Sequence, residues 1–120
     1  MTLFRLDERV ALVTGAAGGI GRAIASTLAS QGARLALADI LGDEVQEVAE
    51  SIGSHQARAY QADLGEVAQI ERLVEQVVAD FGGIDILVNN AGYVPAWPSS
   101  IQPKRTGSTW STSTPRASTS

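Results

Sequence analysis

The strongest constraint on this chain is a change of hydrophobic period across a glycine cluster. Val10-Ala-Leu-Val-Thr14 is a short, unbroken apolar run of the kind found in strands buried on both faces. It runs into Gly15-Ala-Ala-Gly-Gly-Ile-Gly21. Beyond the glycines, Ile20, Ile24 and Leu28 recur every four residues, with Ala23 and Ala25 between them and Gly32 as a stop. Strand, glycine turn and helix follow from these residues alone.

The same alternation continues. Arg34–Asp39 reads as a second buried strand, and a helix follows from about residue 43 to 52, with Val45, Val48, Ala49 and Ile52 on one face and Glu44, Glu47 and Glu50 mostly on the other. Residues 57–63 read as a third strand. The longest helix is expected over residues 66–81, with Val67, Ile70, Val74, Val77, Val78 and Phe81 on its apolar stripe and Gly82-Gly83 at its end. Residues 84–88 form a fourth strand, leading into Asn89-Asn90-Ala91-Gly92. Strands alternating with helices over short connections imply an α/β fold with a parallel sheet. The expected architecture is a partial, Rossmann-type doubly wound sheet of about four strands in the order 3-2-1-4, flanked by helices. Strand four is as apolar as a central strand, yet little follows that could cover it.

Composition separates two regions. Residues 1–97 hold all 13 acidic residues and six Arg, a net of −7, and read as an incomplete dinucleotide-binding domain. Residues 98–120 hold Lys104, Arg105 and Arg116 and no acid, with seven Ser, five Thr and three Pro. Such a tail buries too little apolar surface to order itself and is expected to be disordered. Ser, Pro, Thr and Ala, the residues whose codons carry C in the middle, fill 16 of its 23 positions. A C-rich coding sequence read one base out of frame produces that composition, so a frameshift within residues 93–99 is the expected origin of the tail; a genuine Ser/Thr-rich tail is the alternative.

The absence of cysteine excludes a disulfide scaffold, a Cys-ligated zinc and thiol catalysis. The acidic balance argues against nucleic acid as a partner. No apolar run approaches the ~18 residues of a membrane span, and the N-terminus has no signal core. A cytoplasmic protein without a membrane or metal role is the expectation. His55 reads as a solvated loop residue, Arg22 in the first helical turn reads as a surface residue or a helper for a phosphate, and Trp97 and Trp110 lack the regular spacing of stacking platforms.

The chemistry concentrates at the glycines. Gly15 permits a tight turn, Gly19 and Gly21 permit close approach of a pyrophosphate and of the strand, and free N–H groups at a helix start favour an anion. Asp39 ends the second strand 18 residues after Gly21, near the ~20-residue separation of an acid that binds a ribose diol. Its carboxylate accepts hydrogen bonds from 2′- and 3′-hydroxyls and repels a 2′-phosphate. No Arg or Lys flanks it, so NAD is favoured over NADP. Asp63-Leu64 falls at the sheet edge, where an adenine ring or a plain turn fits equally. Asn90, Ala91 and Gly92 can tie strands together and leave room for a cofactor, or simply form a turn.

Taken together, Thr14-Gly-Ala-Ala-Gly-Gly-Ile-Gly21 (the form TGxxxGxG), Asp39, Asp63 and the Asn-Asn-Ala-Gly at 89–92 resemble the short-chain dehydrogenase/reductase family over about residues 5–94. The resemblance implies that Thr14, Gly15, Gly19, Ile20 and Gly21 line the pyrophosphate and adenosine side. It places Asp39 on the adenosine ribose, Asp63 and Leu64 on adenine, and Asn90, Ala91 and Gly92 on the nicotinamide side. It also implies hydride transfer between NAD and an alcohol or ketone substrate, in a protein that is usually a homo-oligomer. The family's Tyr-x-x-x-Lys is missing: Leu64 stands four after Tyr60, Trp97 four after Tyr93, and Lys104 is the single Lys. No catalytic residue carries over. A chain inactive by itself is expected, with a non-catalytic dinucleotide-binding module and an interaction protein acting through the tail as the other readings. Without the helices that follow strand four, dimerisation is not expected, and the exposed apolar surface predicts poor solubility or a molten state.

Overall fold

The computed structural model describes residues 7–91, together with the backbone of residues 103–106 and 109–112. Its element order is β1 (Val10–Thr14), α1 (Gly19–Ser30), β2 (Arg34–Asp39), α2 (Gly42–Ile52), β3 (Ala57–Gln61), α3 (Val67–Phe81), β4 (Ile86–Asn89), β5 (Pro103–Thr106) and β6 (Thr109–Thr112). The sheet order is β3-β2-β1-β4-β6-β5. β1 pairs in parallel with β2 (Val10 opposite Arg34) and with β4 (Ala11 opposite Ile86), and β2 pairs in parallel with β3. The expected 3-2-1-4 core is present.

Burial on two faces explains the unbroken apolar strands. Along β1, Val10 and Leu12 pack into one layer with Ile70, Leu73, Val74 and Val77 of α3. Ala11 and Val13 point the other way, into a layer with Ala25 of α1 and with Val45, Val48 and Ala49 of α2. Both residue sets are nearly or wholly removed from solvent. A period-2 strand feeds alternate side chains to opposite helical layers, so every position must be apolar.

Two boundaries move inward from expectation. β3 stops at Gln61: the Ala62 amide makes the last bond to β2, donating to the Asp39 carbonyl at 3.1 Å, and the next amide, that of Asp63, donates instead to Gln69 Oε1 at 2.8 Å. β4 starts at Ile86, not Ile84. Asp85 is occupied in a side-chain clasp on β1, its carboxylate accepting from the Val10 amide at 2.8 Å while its own amide donates to the Val10 carbonyl at 2.8 Å. Ile84 stays fully buried beneath it.

β6 runs antiparallel to β4 (Leu87 opposite Trp110) and β5 antiparallel to β6. The physical reason lies in β4, whose outer edge would otherwise present unpaired N–H and C=O groups. β-branched Thr109 and Thr112 with aromatic Trp110 suit a strand.

The other edge is secured by side chains. Tyr60 of β3 donates its hydroxyl to Asp80 of α3 at 2.6 Å, and Arg58 pairs with the same carboxylate at 3.2 Å. Burial, reinforced by the hydrogen bond to Asp80, holds the Tyr60 phenol well above its ordinary pKa. The Arg34 guanidinium lies 5.1 Å from the Phe81 ring centre, within cation–π range.

Candidate functional site

The strand order reverses direction between β1 and β4, and the crevice at the carboxyl ends of those strands is where open α/β sheets take ligands. The glycine turn sits there. Gly15 has φ of 65°, and a Cβ on it would come within 2.9 Å of the Asn90 carbonyl oxygen. Gly21 is pressed against the Gly15 carbonyl so closely that a Cβ would collide with it. These two glycines let helix, turn and β4 meet. Gly19 differs: nothing lies within 4 Å of where its Cβ would be. Protein packing does not require a glycine there, and open space above the helix start remains.

α1 begins without any cap from a side chain. Gly18 is its N-cap, and its first turn holds no acid. The first bond into the helix runs from the Arg22 amide to the Gly18 carbonyl at 2.8 Å. The amides of Gly19, Ile20 and Gly21 precede it and belong to the group that a helix leaves unsatisfied. These three N–H donors and the positive end of the helix dipole follow directly on Gly18, a residue of the cleft wall.

Thr14 is fully buried and acts as the knot under this surface. Its hydroxyl donates to Asn89 Oδ1 at 2.9 Å, with the Val88 carbonyl at 3.4 Å, and accepts from the Asn90 and Ala91 amides at 3.0 and 3.2 Å. Asn90 returns a bond from Nδ2 to the Gly15 carbonyl at 3.3 Å. One hydroxyl therefore fixes the end of β1 to the loop after β4.

Asp39 faces the same space. Its Oδ2 accepts from the Ala17 amide and its Oδ1 from the Leu41 amide, both at 3.0 Å. A carboxylate offers about four acceptor sites, so each oxygen keeps capacity for a further donor. Asp63 is held similarly, its Oδ1 accepting from the Gly65 amide at 2.9 Å.

An open cleft of about 450 Å³ joins these groups, and its wall includes Gly15, Asp39, Asp63, Leu64, Asn90 and Ala91 from the sequence-derived set. Thr14 and Gly21 lie beneath it. Ile20 is 70% exposed and lies with Gly19 along an apolar groove on α1, away from the cleft wall. Gly92 lies outside the described residues. Gly18, Ile40, Leu41, Ala62 and Gly65 also form the wall and were not singled out from sequence. Their signal is weak: Ile40 and Leu41 follow Asp39 directly, and only exposure of two adjacent apolar side chains (56% and 51%) marks them. Among the described residues, no cluster of His, Asp and Glu could hold a metal ion, and no helix is long and apolar enough to cross a membrane.

Comparison with known proteins places this geometry. The family model of the short chain dehydrogenases matches residues 9–112. D-threitol dehydrogenase of Mycolicibacterium smegmatis is 46% identical over 91 residues, which make up 74% of this chain and 35% of that protein. Galactitol 2-dehydrogenase of Agrobacterium fabrum is 47% identical over 87 residues, 72% of this chain and 34% of that one. Among solved structures, a 3-ketoacyl-(acyl-carrier-protein) reductase from Brucella melitensis complexed with NADH superposes with a TM-score of 0.66 at 36% identity, over 68% of this chain and 33% of that one. A hydroxysteroid dehydrogenase from Escherichia coli gives a TM-score of 0.70 at 39% identity, over 73% and 38% of the two chains. The chain spans about a third of the length of the curated relatives it matches. It belongs to the short-chain dehydrogenase family.

Proposed function

We propose that this chain binds the adenosine and pyrophosphate part of a nicotinamide dinucleotide, with NAD preferred over NADP, and that it is the cofactor-holding part of an oxidoreductase acting on an alcohol or ketone. The observation that carries this reading is the pairing of an uncapped, acid-free start to α1 with the Asp39 carboxylate on the same cleft. The donors suit a pyrophosphate and the acceptor suits a sugar diol. Gly19 leaves the space above the amides open, so the residues present fit the group. The NADH complex of the Brucella reductase supports a dinucleotide as the ligand.

When bound, the dinucleotide supplies a hydride acceptor or donor at its nicotinamide ring. The residues of this chain bind and orient it. The amides of Gly19, Ile20 and Gly21 neutralise phosphate oxygens without a cationic side chain. Asp39 holds the adenosine ribose and disfavours a 2′-phosphate by like charge. Asp63 and Leu64 face the adenine, and Thr14 holds Asn90 and Ala91 on the nicotinamide side, next to Gly92. The Tyr-x-x-x-Lys pair is missing from these 120 residues, so binding without turnover is the role proposed for the chain as it stands. A reading frame restored within residues 93–99 is proposed to encode the catalytic pair; resequencing that locus and finding no Tyr-x-x-x-Lys in any frame would contradict this.

Calorimetric titration of the full chain tests the binding role. NAD should bind at least ~10-fold more tightly than NADP, and Asp39→Ala should weaken NAD by about 10-fold or more while removing the preference. Equal affinity for the two dinucleotides, or an Asp39→Ala chain that binds NAD unchanged, would overturn the reading.

A further inference from the structure

We infer that Gln69 is a positioning residue for recognition of the base, acting through Asp63; the inference rests on the reading of Asp63 as the adenine contact. Gln69 is the third residue of α3, and its Oε1 accepts from the Asp63 amide at 2.8 Å. A Gln at this position commonly reaches back to the amide of the helix's own N-cap residue. Here the N-cap is Glu66, and the Gln69 side chain passes over it to a residue three further upstream.

That reach has a consequence for Asp63. Its amide is held by Gln69, its carbonyl accepts from the Glu66 amide at 3.1 Å, and its Oδ1 accepts from the Gly65 amide at 2.9 Å. Backbone and one carboxylate oxygen are thus fixed on three sides, by bonds that come from both the loop and the helix. Oδ2 accepts no hydrogen bond from the described residues, and Asp63 lies on the cleft wall. A fixed, unused carboxylate oxygen selects a ligand edge that donates. On adenine that edge is the exocyclic amine; on hypoxanthine it is a carbonyl oxygen, which the carboxylate repels. Of the three bonds, only the one from Gln69 runs through a side chain other than that of Asp63, so it can be removed without touching the aspartate.

The test compares NAD with nicotinamide hypoxanthine dinucleotide on the full chain, by calorimetry. The unsubstituted chain should prefer NAD by about 10-fold or more, the loss of a hydrogen bond to a charged group. Asp63→Ala should abolish the preference. Gln69→Met keeps the length of the side chain but offers no comparable acceptor. It should cut the preference to about threefold or less while thermal unfolding remains cooperative. Gln69→Glu, which can accept from the same amide, should hold the preference within about threefold of the original. A Gln69→Met chain with undiminished base preference would overturn the inference, as would a Gln69→Glu chain that loses it. If the chain prefers neither base but remains sensitive to Asp39→Ala, the base contact and this inference fall while the phosphate and ribose reading stands. If it binds neither dinucleotide, both fall.

Discussion

Two helices start side by side in the same layer, each just beyond the carboxyl end of a strand, and they differ in what faces their free amides. Neither α1 nor α2 has a hydrogen-bonded side-chain cap. α2 carries Asp43 and Glu44 in its first turn and so offsets its own dipole. α1 begins Gly-Ile-Gly-Arg, with no acid. The contrast separates a helix start with its own acids from one without them, where the pyrophosphate is proposed to sit. It is also the ground for proposing the glycine cluster and not the α2 start as the phosphate site, although both border the Asp39 end of β2.

Substitutions at the two helix starts and at the far sheet edge test that contrast. The largest effect is expected from Gly21→Ala. Its Cβ would collide with the Gly15 carbonyl, forcing turn and helix apart at a cost on the order of 1–3 kcal/mol, read as a lower denaturant midpoint, with NAD binding lost. Next is Ile20→Glu, which gives α1 the acid that α2 already has. Ile20 is largely exposed, so the fold should tolerate the change, while NAD affinity falls about 10-fold or more by calorimetry. A change confined to the far edge of the sheet should leave binding alone. Tyr60→Phe removes the hydrogen bond to Asp80 and should cost about 0.5–1.5 kcal/mol at neutral pH. Because the folded-state pKa of Tyr60 is raised, its contribution is complete below the ordinary tyrosine value of about 10. It is lost as the pH climbs above that value toward the folded-state one. Thermal melts of the Phe variant should therefore show a shallower alkaline decline. The smallest effect is expected for Glu44→Gln, which weakens the α2 dipole pairing by about 0.3–1 kcal/mol and leaves NAD affinity unchanged.

Much of this was legible in residues alone, and the reasons are local. β1 and β2 match their expected bounds because a strand buried on both faces is an unbroken apolar run. The helices follow from their period. What escaped depends on long-range pairing. The Asp85 clasp on Val10 joins residues 75 positions apart and shortens β4. Within the site, Gly15, Asp39 and Asp63 were visible because each sits at a strand end with a distinct chemistry. Ile40, Leu41, Gly18, Ala62 and Gly65 join the wall only by convergence of four loops in space, and no spacing in the chain announces that. Gln69 was invisible for the same reason: on a helical wheel it is one more polar residue.

In the function proposed here, the bare start of α1 takes the phosphates while Asp39 takes the sugar. Amide chemical-shift mapping of the ¹⁵N-labelled chain during titration with NAD addresses it directly. The largest shifts should fall at Gly18, Gly19, Ile20 and Gly21, with Ala17 and Leu41 following through their bonds to Asp39, and small shifts at Asp43 and Glu44. Shifts spread evenly over both helix starts, or none at the glycines at saturating NAD, would contradict it.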